Sequence, residues 1–529
     1  MRSHGTRIGS HSPAAVAVLL AAFGAGCTAE PASPAAERDT LVFASSADAT
    51  TLDPHNTTDT QSDQVIWMVY NALIRYDPEM NIVGDLAESW EMSEDELTWT
   101  FHLREGVRFH DGSPFTAESV KRNFDRVLDP GQGHKRLSLF EAIERVEVVD
   151  PRTVRIITKF PFGAFEPTMA HVSAAIVNPE VADRYGSDFG LTPEATSGTG
   201  PYKVVSWRKD QEIVLERNDD YWGEPGRLAR IVYRPIPEAA SRVIALESAD
   251  VDVITHIPPR DVARLDGLPG IQVLKGMSIG AQMFRFNCVR GPLADPRVRL
   301  AIAYAVDRRA IVDNLVAGLA VPSTGPLTPI MRGRADLGEF PHDPDKARAL
   351  LADAGYPEGF ETTISTTPRY NMGVELAEAL AAQLRDVGIT ARIEVLEWGA
   401  MRQFWGGIRP EDNPQEIFIM GAGASSADAD WGLRPVYMTT PTGTNENNYG
   451  YYSNAQFDDL VMRAMQEADR TERETLYQRA QEIVYLEDPP GIWLYDNFYV
   501  VGARSNVQDI TTSPLGVVTF EAASFVPES

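Results

Sequence analysis

Residues 98–112 read Thr-Trp-Thr-Phe-His-Leu-Arg-Glu-Gly-Val-Arg-Phe-His-Asp-Gly. In the first six residues, aromatic and aliphatic side chains alternate with threonine and histidine, a period of two that is typical of a strand buried on one face. Gly106 belongs to a predicted turn, after which Val107 and Phe109 resume the alternation. The stretch therefore predicts two strands joined by a turn.

Outward from this stretch, the periodicity of the apolar residues predicts both strands and helices. Short apolar or alternating runs predict strands, and apolar residues three and four apart predict helices. The predicted strands are 41–44, 146–149, 154–157, 390–396 and 417–420, and the predicted helices are 64–73, 116–127, 295–306, 374–384 and one long region at 460–486. Strands that alternate with helices indicate an α/β fold.

The composition is that of an acidic globular protein. The chain has 529 residues, of which 43% are hydrophobic, with a formal net charge of −27 and a pI near 4.8. Such a charge argues against nucleic acid as a partner, because phosphate backbones require a basic surface. With only two cysteines, the chain cannot be built on a disulfide framework.

The N-terminal residues have the pattern of an export signal. Two arginines precede an apolar run at 13–23, and Gly24-Ala-Gly then precedes Cys27. Small residues before a cysteine indicate cleavage by a lipoprotein signal peptidase, although leucine is usual where Gly24 stands. We expect a signal peptide at 1–26, export by the Sec route, a lipid anchor on Cys27 and a polar tether at 27–39. The alternative is an ordinary secretory signal with an incidental cysteine.

The sequence offers no recognisable catalytic constellation. Zinc-site, phosphate-loop and serine-hydrolase motifs of the common kinds are absent. Ser206-Trp-Arg-Lys209 fits the first motif of serine β-lactamases, but the companion motifs are missing. The nine histidines are scattered, and Cys288 is alone once Cys27 is lipidated, so we expect no metal cage. We therefore expect no enzymatic activity, no catalytic residue, no metal and no other cofactor.

Three segments, in order along the chain, carry further motifs that are informative when taken together. They comprise Leu86-Ala-Glu-Ser-Trp90 with 99–112 and 115–120; Gly198-Thr-Gly-Pro-Tyr202 with Trp207, 217–218 and 221–223; and Phe286-Asn287 with Asp295-Pro-Arg-Val-Arg299 and 303–308. Together they resemble the peptide-type family (family 5) of extracytoplasmic solute-binding proteins of ABC importers, from about residue 40 to the end. Within that family, the region from Ala427 to Asn454 is similar to dipeptide and glutathione receptors.

The resemblance implies a two-lobed, periplasmic-binding-protein-like α/β fold with a hinge. Lobe I is expected at 40–283, with a hairpin-rich subdomain inserted at about 80–195, lobe II at 284–494, and a return to lobe I at 495–529. The resemblance also implies that the protein is a monomeric lipoprotein in the periplasm or on the cell surface. It captures dipeptides, oligopeptides or glutathione and delivers them to the transmembrane subunits of an ABC permease, whose ATPase subunits it reaches only indirectly.

A peptide ligand brings a carboxylate and an amine, and burying either charge without a partner costs several kcal/mol. Arg369, with Tyr370 beside it, is the candidate for the carboxylate, since its planar fork matches that group and dipeptide-type receptors have a similar Arg–Tyr element. Asp428 or Asp430 could meet the amine or cap a helix near Trp431, and Trp431 could contact the ligand or the hinge core. The other candidate ligand-binding residues are Ser45, Ser46, Asn287, Ser425 and Ser426.

The loop at 421–426 departs from the dipeptide receptors. Those proteins carry a tryptophan and an aspartate there, whereas this chain has Gly-Ala-Gly-Ala-Ser-Ser. The missing carboxylate argues against a strict dipeptide receptor and predicts a roomier pocket. Two other functions stay open on the same fold, namely a signalling or chaperone-like lipoprotein and a receptor for nickel or haem cargo.

Overall fold

The computed structural model describes residues 38–370, 372–445 and 447–527. The predicted signal peptide and Cys27 lie outside these residues, as does most of the predicted tether. Within the described residues, no helix is both long and apolar enough to cross a membrane.

Strands and helices alternate along much of the chain, as predicted. The strands are β1 Thr40–Ser45, β2 Ile74–Tyr76, β3 Ile82–Gly84, β4 Ala87–Met92, β5 Thr98–Leu103, β6 Ile143–Asp150, β7 Thr153–Thr158, β8 Tyr202–Arg208, β9 Glu212–Arg217, β10 Arg230–Pro235, β11 Val253–Thr255, β12 Ile271–Phe286, β13 Ala320–Pro322, β14 Phe360–Thr366, β15 Ile389–Val395, β16 Ile417–Ala422, β17 Gly491–Arg504, β18 Val507–Gln508, β19 Thr511–Thr512, β20 Val518–Thr519 and β21 Ser524–Phe525. The helices are α1 Thr60–Val69, α2 Ala117–Leu128, α3 Phe165–Met169, α4 Pro179–Tyr185, α5 Ala239–Glu247, α6 Pro259–Asp266, α7 Pro296–Ala305, α8 Arg308–Ile311, α9 Pro344–Asp353, α10 Gly373–Arg385, α11 Trp398–Arg402, α12 Ala429–Tyr437, α13 Ala455–Gln466 and α14 Arg470–Glu482.

One large mixed sheet runs through the molecule in the order β15-β14-β16-β12-β17-β11-β1-β10-β9-β8, with β13 also paired to β17. β1 is parallel to β10 and β11, and β14 is parallel to β15 and β16. Parallel neighbours require long crossover connections. The connection from β14 to β15 is the helix α10, whereas the connection from β1 to β10 contains strands β2–β9 as well as helices. We call β1 and β8–β11 the first-lobe strands and β14–β16 the second-lobe strands.

Two long antiparallel strands, β12 and β17, join the two groups. At their C-terminal ends, β12 pairs with β16 of the second lobe and β17 pairs with β11 of the first lobe. The pairing of β12 with β17 is interrupted between Met277 and Ala281, where the register shifts. Such irregularities bend and twist a strand pair. The lobe boundaries expected after residues 283 and 494 fall within these two strands, and the division into lobes stays a prediction.

Asp496 lies on β17 with its carboxyl group buried. Ser323 Oγ donates to Oδ1 at 2.6 Å. Burial raises the pKa of Asp496 from 3.8 to about 6, against the opposing effects of Ser323 and Arg334. Because the folded-state pKa is raised, the protonated carboxyl stabilises the fold below about pH 4, and that contribution is lost as the pH rises through about 6.

We expect Asp496→Asn to remove this pH dependence. Relative to wild type, the free energy of unfolding of the variant should rise by up to about 3 kcal/mol between pH 4 and pH 7, as measured by urea unfolding. Asp459→Asn, on the exposed face of α13, is the matched control and should show no such rise. An Asp496→Asn effect of equal size at both pH values would contradict the burial argument.

A separate antiparallel sheet, β4-β5-β7-β6, lies within the hairpin-rich region predicted at about 80–195. The alternation at 98–103 is β5, and the hairpin predicted at 146–157 is β6 and β7. The apolar face of this sheet packs with α2 into a core of its own, distinct from the cores of the large sheet.

The second strand predicted from the opening stretch, at Val107 and Phe109, is wrong. Both side chains are buried as the alternation requires, but the chain folds back on itself at once. Phe109 N–H donates to the carbonyl of Ser113, and Phe115 N–H donates to the carbonyl of Val107. This local loop uses the backbone groups that a ladder with another strand would need.

The long helical region predicted at 460–486 contains two helices, α13 and α14. α13 ends at Gln466, and the Asp469 side chain accepts the backbone N–H of Glu472 at 2.9 Å to cap α14. Aspartate is a strong N-cap residue, so Asp469 was the signal for the break. The other predicted strands and helices are confirmed, with ends that differ by at most four residues.

The C-terminal part of the described chain packs onto the first lobe. Gln64 on α1 exchanges two hydrogen bonds with the backbone of Val518, accepting its N–H at 2.8 Å and donating to its carbonyl. Val518 and Phe520 are buried in the same core as Phe43 on β1. The two ends of the folded chain therefore complete one core.

Candidate functional site

An open cleft of 1020 Å³ lies between elements of the first and second lobes. The loop after β1, helices α1 and α5 and the loop after β11 form one wall. The segments that follow β14 and β15 form the other. Its charged and aromatic lining residues are Arg242, His256, Arg369, Tyr370, Glu397 and Trp398. Ligand pockets in proteins commonly enclose about 300–1,000 Å³, so a small-molecule ligand fits here.

Arg369 lies in the loop that follows β14 and lines this cleft, as predicted for a ligand-facing residue. Its guanidinium is 4.9 Å from the centre of the Trp398 ring, and the side chain is exposed. No carboxylate of the described residues forms an ion pair with it. An exposed guanidinium without an acidic partner among the described residues can bind a carboxylate in bidentate fashion.

Tyr370 lines the cleft beside Arg369. Its ring packs edge-on against Trp398, with ring centres 5.9 Å apart. Burial raises the pKa of the Tyr370 hydroxyl, while a backbone hydrogen bond from Gly421 and the charges of Arg285 and Arg369 lower it less. The hydroxyl is therefore neutral at physiological pH and can still donate a hydrogen bond.

Arg285, on β12, is a buried cation that the sequence reasoning missed. The residue is 4% exposed, and its guanidinium lies 5.0 Å from the ring centre of Tyr437 and 5.8 Å from that of Tyr449. Its Nε and Nη1 have no hydrogen-bond partner among the described residues. The charge acts on Tyr370, so it adds positive potential behind the second-lobe wall. The available signal was an arginine inside the apolar run Met-Phe-Arg-Phe.

The first-lobe wall presents polar groups, of which only Ser46 was predicted. Gln61 Nε2 donates to Ser46 Oγ at 3.2 Å. Arg242 is buried and donates to four backbone carbonyls, two just before α5 and two where β11 ends. It therefore links these two segments of the wall. His256 is exposed to the cleft. Its position directly after a strand was the signal that could have identified it.

Asp428 and Asp430 are engaged in internal ion pairs. Arg473 contacts both oxygens of Asp428, with Nη1 3.0 Å from Oδ2, and Asp428 also caps α12 by accepting the N–H of Asp430. Arg434 binds both oxygens of Asp430 at 2.8 and 2.9 Å. The capping alternative thus fits Asp428. Neither carboxylate lines the 1020 Å³ cleft, and a role toward a ligand amine stays a prediction.

Trp431 packs against both the second-lobe core and the core of the separate β4–β7 sheet. With Ser426 it borders a small cavity of 10 Å³. The carbonyl of Ser426 accepts a hydrogen bond from Tyr76 Oη at 2.8 Å, which ties β2 to the loop before α12. Ser425 is partly exposed in the same turn. These residues form a junction between α12 and the separate sheet.

The two remaining candidates also lie outside the cleft lining. Ser45 Oγ donates to the carbonyl of Ala47 at 2.8 Å, and the buried Asn287 Nδ2 donates to the carbonyl of Gln415 at 3.0 Å. The cleft therefore brings together only part of the predicted set, namely Ser46, Arg369 and Tyr370. Among the described residues, no cluster of three or more metal-ligating side chains occurs.

The family model of bacterial extracellular solute-binding proteins, family 5 (middle), matches residues 81–444. The glutathione-binding protein GsiB of Escherichia coli (strain K12) is 34% identical over 464 residues, which cover 87% of this chain and 90% of that protein.

Two solved structures show the same architecture. The periplasmic binding protein DppA from Helicobacter pylori, in complex with the peptide STSA, is 30% identical and has a TM-score of 0.80, covering 93% of this chain and 99% of that one. The dipeptide binding protein from Pseudoalteromonas sp. SM9913, in complex with Met-Leu, is 25% identical and has a TM-score of 0.79, covering 92% and 100%.

Proposed function

We propose, since this chain belongs to family 5 of the bacterial extracellular solute-binding proteins, that it captures peptides between its lobes and delivers them to an ABC permease. It has the two-lobed α/β fold of such binding proteins. The observation that carries the proposal is the 1020 Å³ cleft, which is lined from both lobes and holds an exposed arginine without an acidic partner among the described residues.

Binding and closure form one event in this proposal. A ligand that contacts both walls favours the closed arrangement by its difference in affinity for the closed and open forms. The bend in β12 and β17 is where the lobes would move. Arg369 holds the ligand carboxylate from the second lobe, and Ser46 with its neighbours offers hydrogen bonds from the first. No chemical step is required, and the closed form docks on the permease.

Glutathione is the peptide that the proposal favours. The GsiB proteins, which are 34% identical to this chain over 87% of its length, are named glutathione-binding proteins. Glutathione carries two carboxylates and one amine, so it suits a cleft in which arginines outnumber carboxylates. Arg369 lines that cleft, and Arg285 adds positive charge behind it. The loop at 421–426 lacks the aspartate of dipeptide receptors, which also favours a ligand other than a simple dipeptide.

The cellular setting is part of the same proposal. The chain acts outside the cytoplasm as a monomer, held to the membrane by a lipid on Cys27, and meets the transmembrane subunits of its permease directly. Its lobes are proposed at 40–283 and 284–494, with 495–529 returning to the first.

The test combines a ligand panel with one substitution. Mature protein, refolded to remove co-purified ligand, is titrated by calorimetry with reduced and oxidised glutathione, dipeptides to pentapeptides, free amino acids and Ni²⁺. We expect Arg369→Ala to weaken binding of the preferred peptide at least tenfold, or about 1.4 kcal/mol, through the loss of its carboxylate partner. Arg402→Ala is the matched control, because Arg402 lies 5.9 Å from the same Trp398 ring but does not line the cleft.

Each outcome has a distinct meaning. Binding of glutathione but not of dipeptides establishes the ligand class, and binding of many peptides establishes a general peptide receptor. Unchanged affinity in Arg369→Ala removes that residue from the site. Absence of binding to every peptide contradicts the proposal and favours a signalling or chaperone-like role, whereas binding of Ni²⁺ alone favours metal cargo.

A further inference from the structure

His256 occupies an unusual backbone conformation on the first-lobe wall. It follows β11 directly and has a φ of 56°, in the left-handed region that residues other than glycine seldom adopt. Such conformations persist where the surrounding structure holds them, and they concentrate at functional sites. Arg242 Nη2 donates to the His256 carbonyl at 2.9 Å and is one of the groups that hold it here.

The imidazole ring is held at one nitrogen and available at the other. Nδ1 is 3.1 Å from Thr255 Oγ1, which fixes the ring beside the strand end. Among the described residues, no hydrogen bond engages Nε2. The ring lines the cleft together with Arg369 of the opposite lobe. A ligand between the walls can therefore meet Nε2 on one side and a guanidinium on the other.

The two charges that act directly on the pKa of His256 are both positive. Protein on both sides of the cleft surrounds the accessible ring, and this loss of solvation is the largest cause that lowers its pKa from 6.5 to about 4, with the charges of Arg242 on α5 and Arg369 after β14 acting in the same direction. The acidic residue that shares the cleft lining is Glu397, which caps α11 through the N–H of Gly399.

Three further charged groups belong to adjacent segments. Arg260 and Asp261, at the start of α6, pair with each other at 3.7 Å. Glu238, just before α5, acts on Arg242. Without ligand the imidazole is therefore neutral at physiological pH, in a site that already attracts anions.

We infer that His256 is a specificity-determining residue that binds a second carboxylate of the ligand opposite Arg369, taking up one proton from solvent on Nε2 as the ligand binds. The inference rests on the proposed function, since it assigns the ligand of that same cleft. A carboxylate beside the ring stabilises the imidazolium, because an opposite charge within about 4–6 Å favours the charged form of a titratable group. The ligand class is thus a peptide with two carboxylates.

Proton uptake makes the affinity depend on pH with a definite sign. Between the pKa values of the free and the ligand-bound histidine, each bound ligand brings one proton into the protein. The association constant then falls up to tenfold for each unit by which the pH rises, and it becomes level above the bound-state pKa. A structural role for His256 would not produce this slope.

The experiment is isothermal titration calorimetry of the mature protein with reduced glutathione at pH 5, 6 and 7, each in two buffers of different ionisation enthalpy. We expect uptake that approaches one proton per glutathione at pH 5 to 6 and affinity that weakens as the pH rises. NMR of the histidine side chains should show one imidazole becoming protonated on binding. Glutathione monoethyl ester, with one carboxylate fewer, should bind at least tenfold more weakly than glutathione at pH 5.

Three variants test whether His256 is the group that takes up the proton. His256→Asn, which tolerates the left-handed backbone, should abolish proton uptake and bind glutathione and its monoester with similar affinity. His256→Arg supplies a permanent cation and should retain glutathione binding without uptake. His102→Asn, at an exposed position on β5, is the control and should behave as wild type. Thermal melts of each variant without ligand establish that it is folded.

The outcomes separate this inference from the proposed function. Glutathione, or another peptide with two carboxylates, that binds wild type without proton uptake, or with the same uptake in His256→Asn, overturns the inference and leaves the peptide receptor intact. Failure of every peptide to bind overturns both. Loss of glutathione binding in Arg369→Ala, combined with an unaltered pH slope in His256→Asn, would leave Arg369 as the anchor and exclude His256.

Discussion

Arg473→Met is expected to lower the free energy of unfolding by about 3–5 kcal/mol at pH 7. The Asp428 carboxylate is fully buried, and Arg473 contacts both of its oxygens from α14. Removal of the guanidinium leaves an uncompensated charge in the protein interior, which costs far more than the loss of a contact. Urea unfolding followed by tryptophan fluorescence measures the difference.

The control lies one turn away on the same helix. Arg470 pairs with Glu474 at 2.8 Å, but both side chains are largely exposed, so Arg470→Met should cost less than about 1 kcal/mol. The double variant Asp428→Asn/Arg473→Met keeps a helix-capping side chain and removes both charges, so it should recover much of the loss. A change below 1 kcal/mol in Arg473→Met would show that Asp428 is not held as a buried charge.

Arg126→Met should cost a similar amount at neutral pH, on the order of 3–5 kcal/mol. Arg126 binds both oxygens of the buried Asp53, at 2.7 and 3.1 Å, and its Nη1 lies 2.6 Å from Nδ1 of His55. Burial alone would raise the pKa of Asp53, and the bond to Arg126 together with other contacts holds it below 3.8. Without the arginine, Asp53 is a buried carboxylate without its counter-ion.

The sign of the pH dependence follows from that shift. In wild type the lowered pKa of Asp53 stabilises the fold above about pH 4, and this contribution is lost as the pH falls through the folded-state pKa. In Arg126→Met the carboxyl protonates at higher pH, which relieves its burial. The stability deficit of the variant relative to wild type should therefore be largest at pH 7 and smaller at pH 4.5.

The matched control for this pair is Arg152→Met. Arg152 contacts Glu105 at 2.9 Å with both side chains exposed, so the change should cost less than about 1 kcal/mol. A deficit in Arg126→Met that is equally large at pH 4.5 and pH 7 would mean that lost packing, and not the charge of Asp53, is responsible.

Local patterns predicted the elements of the fold well, because burial on one face leaves a period in the sequence. β5 and α10 follow directly from the spacing of their apolar residues. Val107 and Phe109 show the limit of this reasoning. Their spacing reports that both side chains are buried, but the backbone partners that define a strand are a separate property, here satisfied within a short loop.

The cleft was predicted less completely, because its charges depend on partners that are distant in sequence. Asp428 is a candidate for a ligand amine, and its ion pair with Arg473, 45 residues further on, could not be read from the sequence. Arg369 could be predicted from the loop that carries it. His256 follows a strand directly, which is a weaker signal, and its backbone conformation and the arginine across the cleft become visible only in the structure. Resemblance to a family locates a pocket, and the packing of distant segments decides which charges in it are available.

The position of the chain ends in the first lobe has a consequence for how the protein is made. β1 lies between β10 and β11, whose residues follow it by about 190 to 210 positions, and β11 pairs with β17 near the C-terminus. Gln64 on α1 forms its hydrogen bond with Val518, which lies 454 residues later in the chain. A nascent chain therefore cannot complete its first lobe before Val518 has been synthesised.

A lobe with such non-local pairing folds slowly, because the entropy of closing long loops is lost before the contacts that stabilise the lobe can form. First-lobe segments that lack their partners stay unfolded, and an unfolded segment can be threaded through a secretion channel, which admits only an extended chain. A product truncated before Val518 leaves Phe43 and its neighbours in the first-lobe core exposed to solvent. Such a chain is expected to be degraded by proteases.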